Sequence, residues 1–227
     1  MIIPVLDLKN GKAVSGKSGK RDTYKPLKTV FHESSSAIKI ASALKAAGAS
    51  RIYIADLDSI EEEGSNFQII KEINNKHISV MLDCGAYNIE TVEKALEVAD
   101  KVIVATETLR NIEDLNQIFN TFSKDKLVVS IDIKNKEIYS KYLKISLDKM
   151  IQKIKEICPE EVILLDISMV GTEKGINIDL INKVRESGES LIIGGGIRAQ
   201  DISKLEKLGL NKFLVGSTLH SGNLKLK

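Results

Sequence analysis

Two aspartates suggest the chemistry. Asp7 and Asp132 each follow a short apolar run, Ile2–Leu6 and Leu127–Ile131, and each begins an Asp-aliphatic-Lys-Asn tetrapeptide. Carboxylates that face one another across a substrate can divide a proton transfer when unlike surroundings keep one protonated and the other ionised. The competing reading is local, with each aspartate binding nearby backbone or pairing with Lys9 or Lys134. Two glycine clusters offer a second kind of chemistry. Gly194-Gly195-Gly196-Ile197-Arg198 precedes a helical stretch from Ala199, and Val215-Gly216-Ser217-Thr218 follows the next apolar run. Amides in such turns approach phosphate oxygens with no Cβ in the way, and a helix N-terminus adds a favourable dipole. Gly195, Gly196, Ile197, Gly216 and Ser217 are therefore candidate phosphate ligands, with tight strand-to-helix turns as the plain alternative.

Other motifs carry less. Gly11 to Ser18 fits the phosphate-loop pattern of nucleotide hydrolases letter for letter. That loop works by starting a helix at its Lys-Ser pair, whereas Ser18 is followed by Gly19 and a basic, polar stretch to Pro26. An exposed loop or hairpin over Asn10–His32 is expected instead, from which Lys17 and Arg21 can fold over an anionic ligand. Cys84 and Cys158 lack metal-ligand spacing, and His32, His77 and His220 read as loop or helix-end residues. No metal or cofactor is expected.

These residues need a frame. Eight apolar runs read as strands: Ile2–Leu6, Arg51–Ala55, Ser79–Leu82, Lys101–Ala105, Leu127–Ile131, Glu161–Leu165, Ser190–Ile193 and Lys212–Val215. Segments with helical spacing separate them, such as Ala37, Ile40, Ala41 and Leu44. Strict alternation argues for a parallel sheet, and eight units in 227 residues fit an eight-fold β/α barrel, a TIM barrel, in one domain. An open doubly wound sheet is the fallback. Barrel chemistry collects at the carboxyl ends of the strands, where the chain places Asp7, Asp56, Asp58, Asp83, Thr106, Asp132, Asp166 and both glycine clusters. Lys9, Lys17, Arg21, Asp56, Asp58, Asp166, Gly171 and Thr172 are accordingly possible substrate contacts. An internal repeat supports two half-barrels, about 1–122 and 123–227. Asp7–Asn10 recurs as Asp132–Asn135, Ile54–Asp58 resembles Leu164–Ser168, and Thr108-Leu109 resembles Thr218-Leu219.

Composition narrows the function class. Hydrophobic residues make up 43% and charged residues 28%, enough apolar material for a sizeable core. A net charge of +2 and aromatics at 4% argue against nucleic acid as partner. No apolar run is long enough for a membrane span, and two cysteines suit a reducing compartment. A cytoplasmic protein acting on a phosphorylated small molecule is expected.

The chain resembles the histidine-biosynthesis barrels, the HisA/HisF superfamily of phosphoribosylformimino-aminoimidazole-carboxamide ribotide isomerases and their sister cyclase subunits. The marks are Ile3 to Lys12, Asp56-Leu57-Asp58, Ser130-Ile131-Asp132, Gly194–Arg198 and Val215–Ser217. The resemblance implies that Asp7 and Asp132 are a catalytic base and acid for an Amadori rearrangement of an aminoaldose to an aminoketose. It also implies a phosphate grip at each end of the substrate. The chain departs from that pattern. Asp83-Cys84-Gly85-Ala86-Tyr87 stands where the family repeats Gly-Gly-Gly-Ile-Arg, and Ala105-Thr106-Glu107 where it has Gly-Thr-Ala. Leu165 replaces the isomerase's threonine and Val170 a further aspartate. A diverged HisA-like isomerase is therefore expected, taking one phosphate in its C-terminal half. A lyase forming a Schiff base at Lys9 or Lys134, and a non-catalytic phosphate-ligand binder, are the competing functions.

Overall fold

The computed structural model describes residues 1–172, 175–188 and 190–226. The first third of the chain forms β1 (Ile2–Lys9), β2 (Lys12–Ser15), β3 (Lys25–Pro26), α1 (Ala37–Ala46), β4 (Arg51–Asp56), α2 (Leu57–Ile60) and α3 (Phe67–Asn74). There follow β5 (Ser79–Asp83), α4 (Ile89–Leu96), β6 (Lys101–Ala105), α5 (Ile112–Thr121), β7 (Leu127–Lys134), β8 (Glu137–Ile138) and α6 (Leu147–Ile157). The last third holds β9 (Glu161–Asp166), α7 (Ile178–Arg185), β10 (Ser190–Gly194), α8 (Ala199–Lys207), β11 (Lys212–Val215) and α9 (Ser217–His220). Eight strands, β1, β4, β5, β6, β7, β9, β10 and β11, pair in parallel, and β11 returns to pair with β1. The sheet therefore closes into the expected TIM barrel.

Strand periodicity decides which residues enter the barrel. Alternate residues point to opposite faces, and Ile3, Tyr53, Met81, Ile103, Val128, Ile163, Ile192 and Leu214 fill the interior. Their in-between neighbours, such as Ile52, Ile54, Val80 and Leu82, pack outward against the helices. Two or four residues further along each strand, the inward positions reach the carboxyl mouth as Asp7, Ala55, Asp83, Glu107, Asp132, Leu165, Gly194 and Gly216. Acids thus cap an apolar plug on one side of the mouth, and glycines on the other.

The two repeat tetrapeptides make the same local structure. Asn10 and Gly11 have φ of +50° and +76°, and Asn135 and Lys136 have +54° and +70°. Positive φ at both central positions gives the tight turn that suits antiparallel pairing. β1 accordingly folds back on β2 with Lys9 opposite Lys12, and β7 on β8 with Lys134 opposite Glu137. The segment Asn10–His32 is therefore hairpin-like, as expected, with one short 3-10 turn at Arg21–Thr23. No helix starts at Lys17, which removes the nucleotide-hydrolase reading. Instead Ser18 N–H donates to Val170 O at 2.9 Å, so the loop crosses the mouth to the segment after β9.

At the opposite end of the barrel, buried Glu161 accepts hydrogen bonds from Arg51 at 2.8 Å, from Lys101 at 3.0 Å and from Lys212. Each cation begins a barrel strand, so one carboxylate ties β4, β6, β9 and β11 together. No helix among the described residues is long and apolar enough to cross a membrane.

Candidate active site

A cavity of about 280 Å³ opens at the carboxyl mouth, and its lining includes Asp7, Arg21, Tyr53, Asp83, Glu107, Asp132, Leu165, Gly195, Gly196, Ile197, Gly216 and Ser217. The structure therefore brings both candidate catalytic aspartates and all five candidate phosphate ligands to one space. Among the described residues, no backbone bond engages the amides of Gly195, Gly196, Ile197 or Ser217. Glycine is required where it stands. Gly195 and Gly196 have φ of +98° and +67°, and a Cβ would lie 2.4 Å from Asp166 O and 2.7 Å from Met169 O.

The opposite wall uses the same framework differently. Strand register makes Asp83 the counterpart of Gly194, because Ala55 lies opposite Asp83 as Leu165 lies opposite Gly194. The same offset matches Gly85 to Gly196 and Glu107 to Thr218. Both amides are already taken on this side: Gly85 N–H donates to Asp83 Oδ1 at 3.2 Å, and Glu107 N–H donates to Asp132 Oδ2 at 3.0 Å. The protein's own carboxylates occupy the positions that would greet a second anion. The Glu107 side chain adds further charge, held by Arg21 through two bonds of 2.7 and 2.8 Å and approached by Lys141 at 3.5 Å.

The acids differ in their surroundings. No hydrogen bond reaches the Asp7 carboxylate among the described residues, and burial raises its pKa to about 6, with Arg21 opposing and Asp83 adding. Burial and the charge of Glu107 likewise bring Asp83 to about 6, against bonds from Gly85 and from Tyr53 Oη at 3.1 Å. Asp132 is raised well above the usual carboxylate range by burial, then by Asp83 and Glu107. Its partners are Ser130 Oγ at 2.8 Å, Thr106 Oγ1 at 3.4 Å and the Glu107 amide. Asp7 is thus a carboxylate poised near neutrality, and Asp132 the group that keeps its proton longer.

Several expected contacts lie elsewhere. Asp56 and Asp166 occupy outward strand positions, where Asp56 accepts from Asn66 and Ser59 amides and Asp166 from the Ser168 amide. Asp58 accepts from Asn10 N–H at 2.7 Å and from Asn66 Nδ2 at 2.8 Å, locking the first hairpin. These aspartates are caps and braces, and none lines the mouth cavity. Lys9 pairs with Glu61, which raises its pKa and keeps it a cation, and Lys134 sits 4.9 Å from the Tyr139 ring. Neither lysine lines the cavity, nor do Lys17 and Thr172, whereas Arg21 and Gly171 do. Two lining residues carry no motif in the sequence, and a third, His220, reads there only as a loop or helix-end residue and does end α9. Tyr53 and Tyr24 line the cavity, and so does His220, buried with Nε2 against Val5 O at 2.8 Å and Nδ1 against Thr29 Oγ1 at 3.0 Å. Burial lowers the His220 pKa, so its ring is a neutral brace between β1, the first loop and α9. Cys84 is buried, and burial pushes its thiol pKa upward, as suits an inert side chain.

Comparison with known proteins agrees with the architecture. The family model described as histidine biosynthesis protein matches residues 1–225. An uncharacterized protein of Methanocaldococcus jannaschii is 43% identical over 231 residues, covering 100% of this chain and 96% of that one. The same organism's 1-(5-phosphoribosyl)-5-((5-phosphoribosylamino)methylideneamino) imidazole-4-carboxamide isomerase is 30% identical, covering 100% of this chain and 96% of its own. The isomerase of that name from Halothermothrix orenii is 29% identical, with 100% and 97% covered. With the closed barrel, the repeated hairpins and a family match across nearly its whole length, the chain belongs to the histidine biosynthesis protein family.

Proposed function

We propose that this protein is an isomerase-like enzyme for a small, singly phosphorylated sugar or sugar-derived ligand, and not the histidine-pathway isomerase. The amides of Gly195, Gly196, Ile197 and Ser217 hold the phosphate, with Gly216 turning the chain between strand and helix. Asp132, as acid, gives its proton to the sugar ring oxygen as the C–O bond opens. Asp7, as base, removes the proton from the adjoining carbon, and the resulting enol relaxes to the ketose form. A base with pKa about 6 is ionised at neutral pH and still basic enough to act.

The observation that carries this reading is the unlike chemistry of the two walls: free glycine amides on one, amides filled by Asp83 and Asp132 on the other. The named substrate of the isomerase relatives has two phosphoribosyl groups. A cavity of about 280 Å³ lies at the lower end of the ~300–1,000 Å³ of ligand pockets and suits one sugar phosphate. Leu165 and Val170 line it with apolar surface where the isomerase pattern has a hydroxyl and a carboxylate.

A crystal soaked in phosphate should order one anion at Gly195–Ile197 and Ser217 and none beside Asp83. In deuterated water, phosphorylated aldoses that turn over should gain deuterium at the carbon next to the carbonyl, and Asp7→Asn or Asp132→Asn should abolish the exchange. Turnover of the bis-phosphoribosyl substrate at an enzyme-like rate, or a second anion beside Glu107, would overturn the reading.

A further inference from the structure

We propose that the ligand is zwitterionic: a sugar phosphate, or a phosphate derived from one, that carries a protonated amino group held between Asp7 and Asp83. This inference rests on the phosphate reading above and extends it to the other end of the ligand. The acids are not an isolated cluster, because they floor the same cavity whose far wall presents free amides. Arg21 is near enough to lower the pKa values of Asp7 and Asp83, but no cation among the described residues pairs with them directly. Among the described residues no lysine, arginine or histidine forms an ion pair with Asp7, Asp83 or Asp132. Arg21 is the guanidinium in the mouth, and it spends its paired donors on Glu107, while Lys141 donates to Ile60 O and stands 3.5 Å from Glu107.

Asp7 makes the strongest case. It lines the cavity, yet no side chain or amide donates to it, while every other mouth carboxylate has at least two donors. A half-hidden carboxylate without a donor is costly unless a ligand supplies one. Ligand hydroxyls can donate one bond each, but an ammonium brings three N–H donors and a full positive charge. No three His, Cys, Asp or Glu side chains among the described residues are gathered as metal ligands, so a single-point cation fits better than a divalent ion. The raised pKa values of Asp7 and Asp83 agree with this: burial is the main cause for both, Asp83 adds to it at Asp7 and Glu107 at Asp83, and Arg21 offsets only part of it. Half-barrel geometry supports the polarity: the inward position at the end of β10 is Gly194, and its counterpart on β5 is Asp83. One site was left open to anions and its twin was converted to a cation acceptor.

The test is titration calorimetry near neutral pH, with chelator present, using glucosamine 6-phosphate, glucose 6-phosphate, N-acetylglucosamine 6-phosphate and inorganic phosphate. Glucosamine 6-phosphate should bind about tenfold or more tighter than glucose 6-phosphate or the acetylated, uncharged analogue. Asp83→Asn should erase that preference while leaving affinity for glucose 6-phosphate and inorganic phosphate intact or improved. If Asp83→Asn does not fold, Asp7→Asn takes its place, and the wild-type comparison is decisive by itself. Equal binding of amino and non-amino sugars, or a preference that survives the substitution, overturns the amine assignment and leaves the phosphate site standing. Failure of all four probes to bind overturns the phosphate reading and this inference with it.

Discussion

Replacing Asp7 by asparagine should stabilise the unliganded protein at neutral pH. The carboxyl group moves from an ordinary pKa of 3.8 to about 6 on folding, because the cavity strips water from it and Asp83 lies close. Above about pH 6 both folded and unfolded states carry the charge, and the folded state bears the whole penalty. Between about pH 6 and pH 4 the folded state takes up its proton first, so the penalty shrinks as pH falls, and below that range it is gone. A shift of this size corresponds to about 3 kcal/mol for a sealed group. Asp7 still touches the water of the cavity, which reduces the expected gain to about 1–2 kcal/mol. For a chain of this length that is a rise of roughly 2–8 °C in melting temperature. Calorimetric scans of wild type and Asp7→Asn at about pH 7.5 and pH 4 measure it, with the gain confined to the higher pH. A gain equal at both pH values, or a loss at the higher one, would refute the argument that Asp7 is an unpaired, desolvated carboxylate kept for function.

The remaining predictions concern its surroundings. Arg21→Met leaves the buried Glu107 carboxylate with Lys141 alone and should cost about 2–4 kcal/mol, whereas the Arg21→Met/Glu107→Gln pair should cost less than the single change; urea unfolding of both variants decides this. Gly196→Ala forces a side chain onto a φ of +67° with its Cβ 2.7 Å from Met169 O, so the melting-temperature rise that phosphate gives the wild type should be lost. At the far end of the barrel, burial alone would raise the Glu161 pKa, but hydrogen bonds from Lys212, Arg51 and Lys101 bring it to about 2. Its stabilisation is complete above the unfolded value of 4.5 and disappears as pH falls toward 2. Glu161→Gln should therefore cost up to about 3 kcal/mol near pH 7, with the gap from wild type closing in acid.

Much of this site can be read from strand parity. Asp7 lies four residues after Ile3, Asp132 four after Val128 and Asp83 two after Met81, all on the inward count of their strands. Asp56 and Asp166 fall on the outward count, three residues after Tyr53 and Ile163. Grouping all five as one ring of mouth residues ignored that distinction, and the structure separates them into cavity acids and helix caps. Tyr53 was missed for the same reason, since its inward position in β4 was legible. Other features were not. The Arg21–Glu107 pair joins residues 86 positions apart through a loop without periodicity, and nothing local in either segment announces the contact. The occupation of the Gly85 and Glu107 amides by Asp83 and Asp132 depends on carboxylate reach, which a residue pattern does not encode. Strand ends differ by three residues where hairpins extend them, with β1 running to Lys9 and β7 to Lys134, and by one residue in β4, β5, β9 and β10.

The two half-barrels show how little must change to reverse a binding preference. Both halves supply the same turn after the first strand and an aspartate that caps the next segment, at Asp56 and Asp166. Both present backbone amides at matching places round the mouth. An amide has no preference of its own between a ligand oxygen and a protein carboxylate, so the side chain at the inward strand end decides which it meets. Gly194 carries no side chain and leaves the neighbouring amides to the ligand, while Asp83 bends back onto Gly85 and fills the gap with negative charge. On the reading proposed above, that difference exchanges an anion site for a cation site within one backbone frame. An anion grip in one half and a cation grip in the other would orient a small substrate by charge, so that one defined carbon faces Asp7.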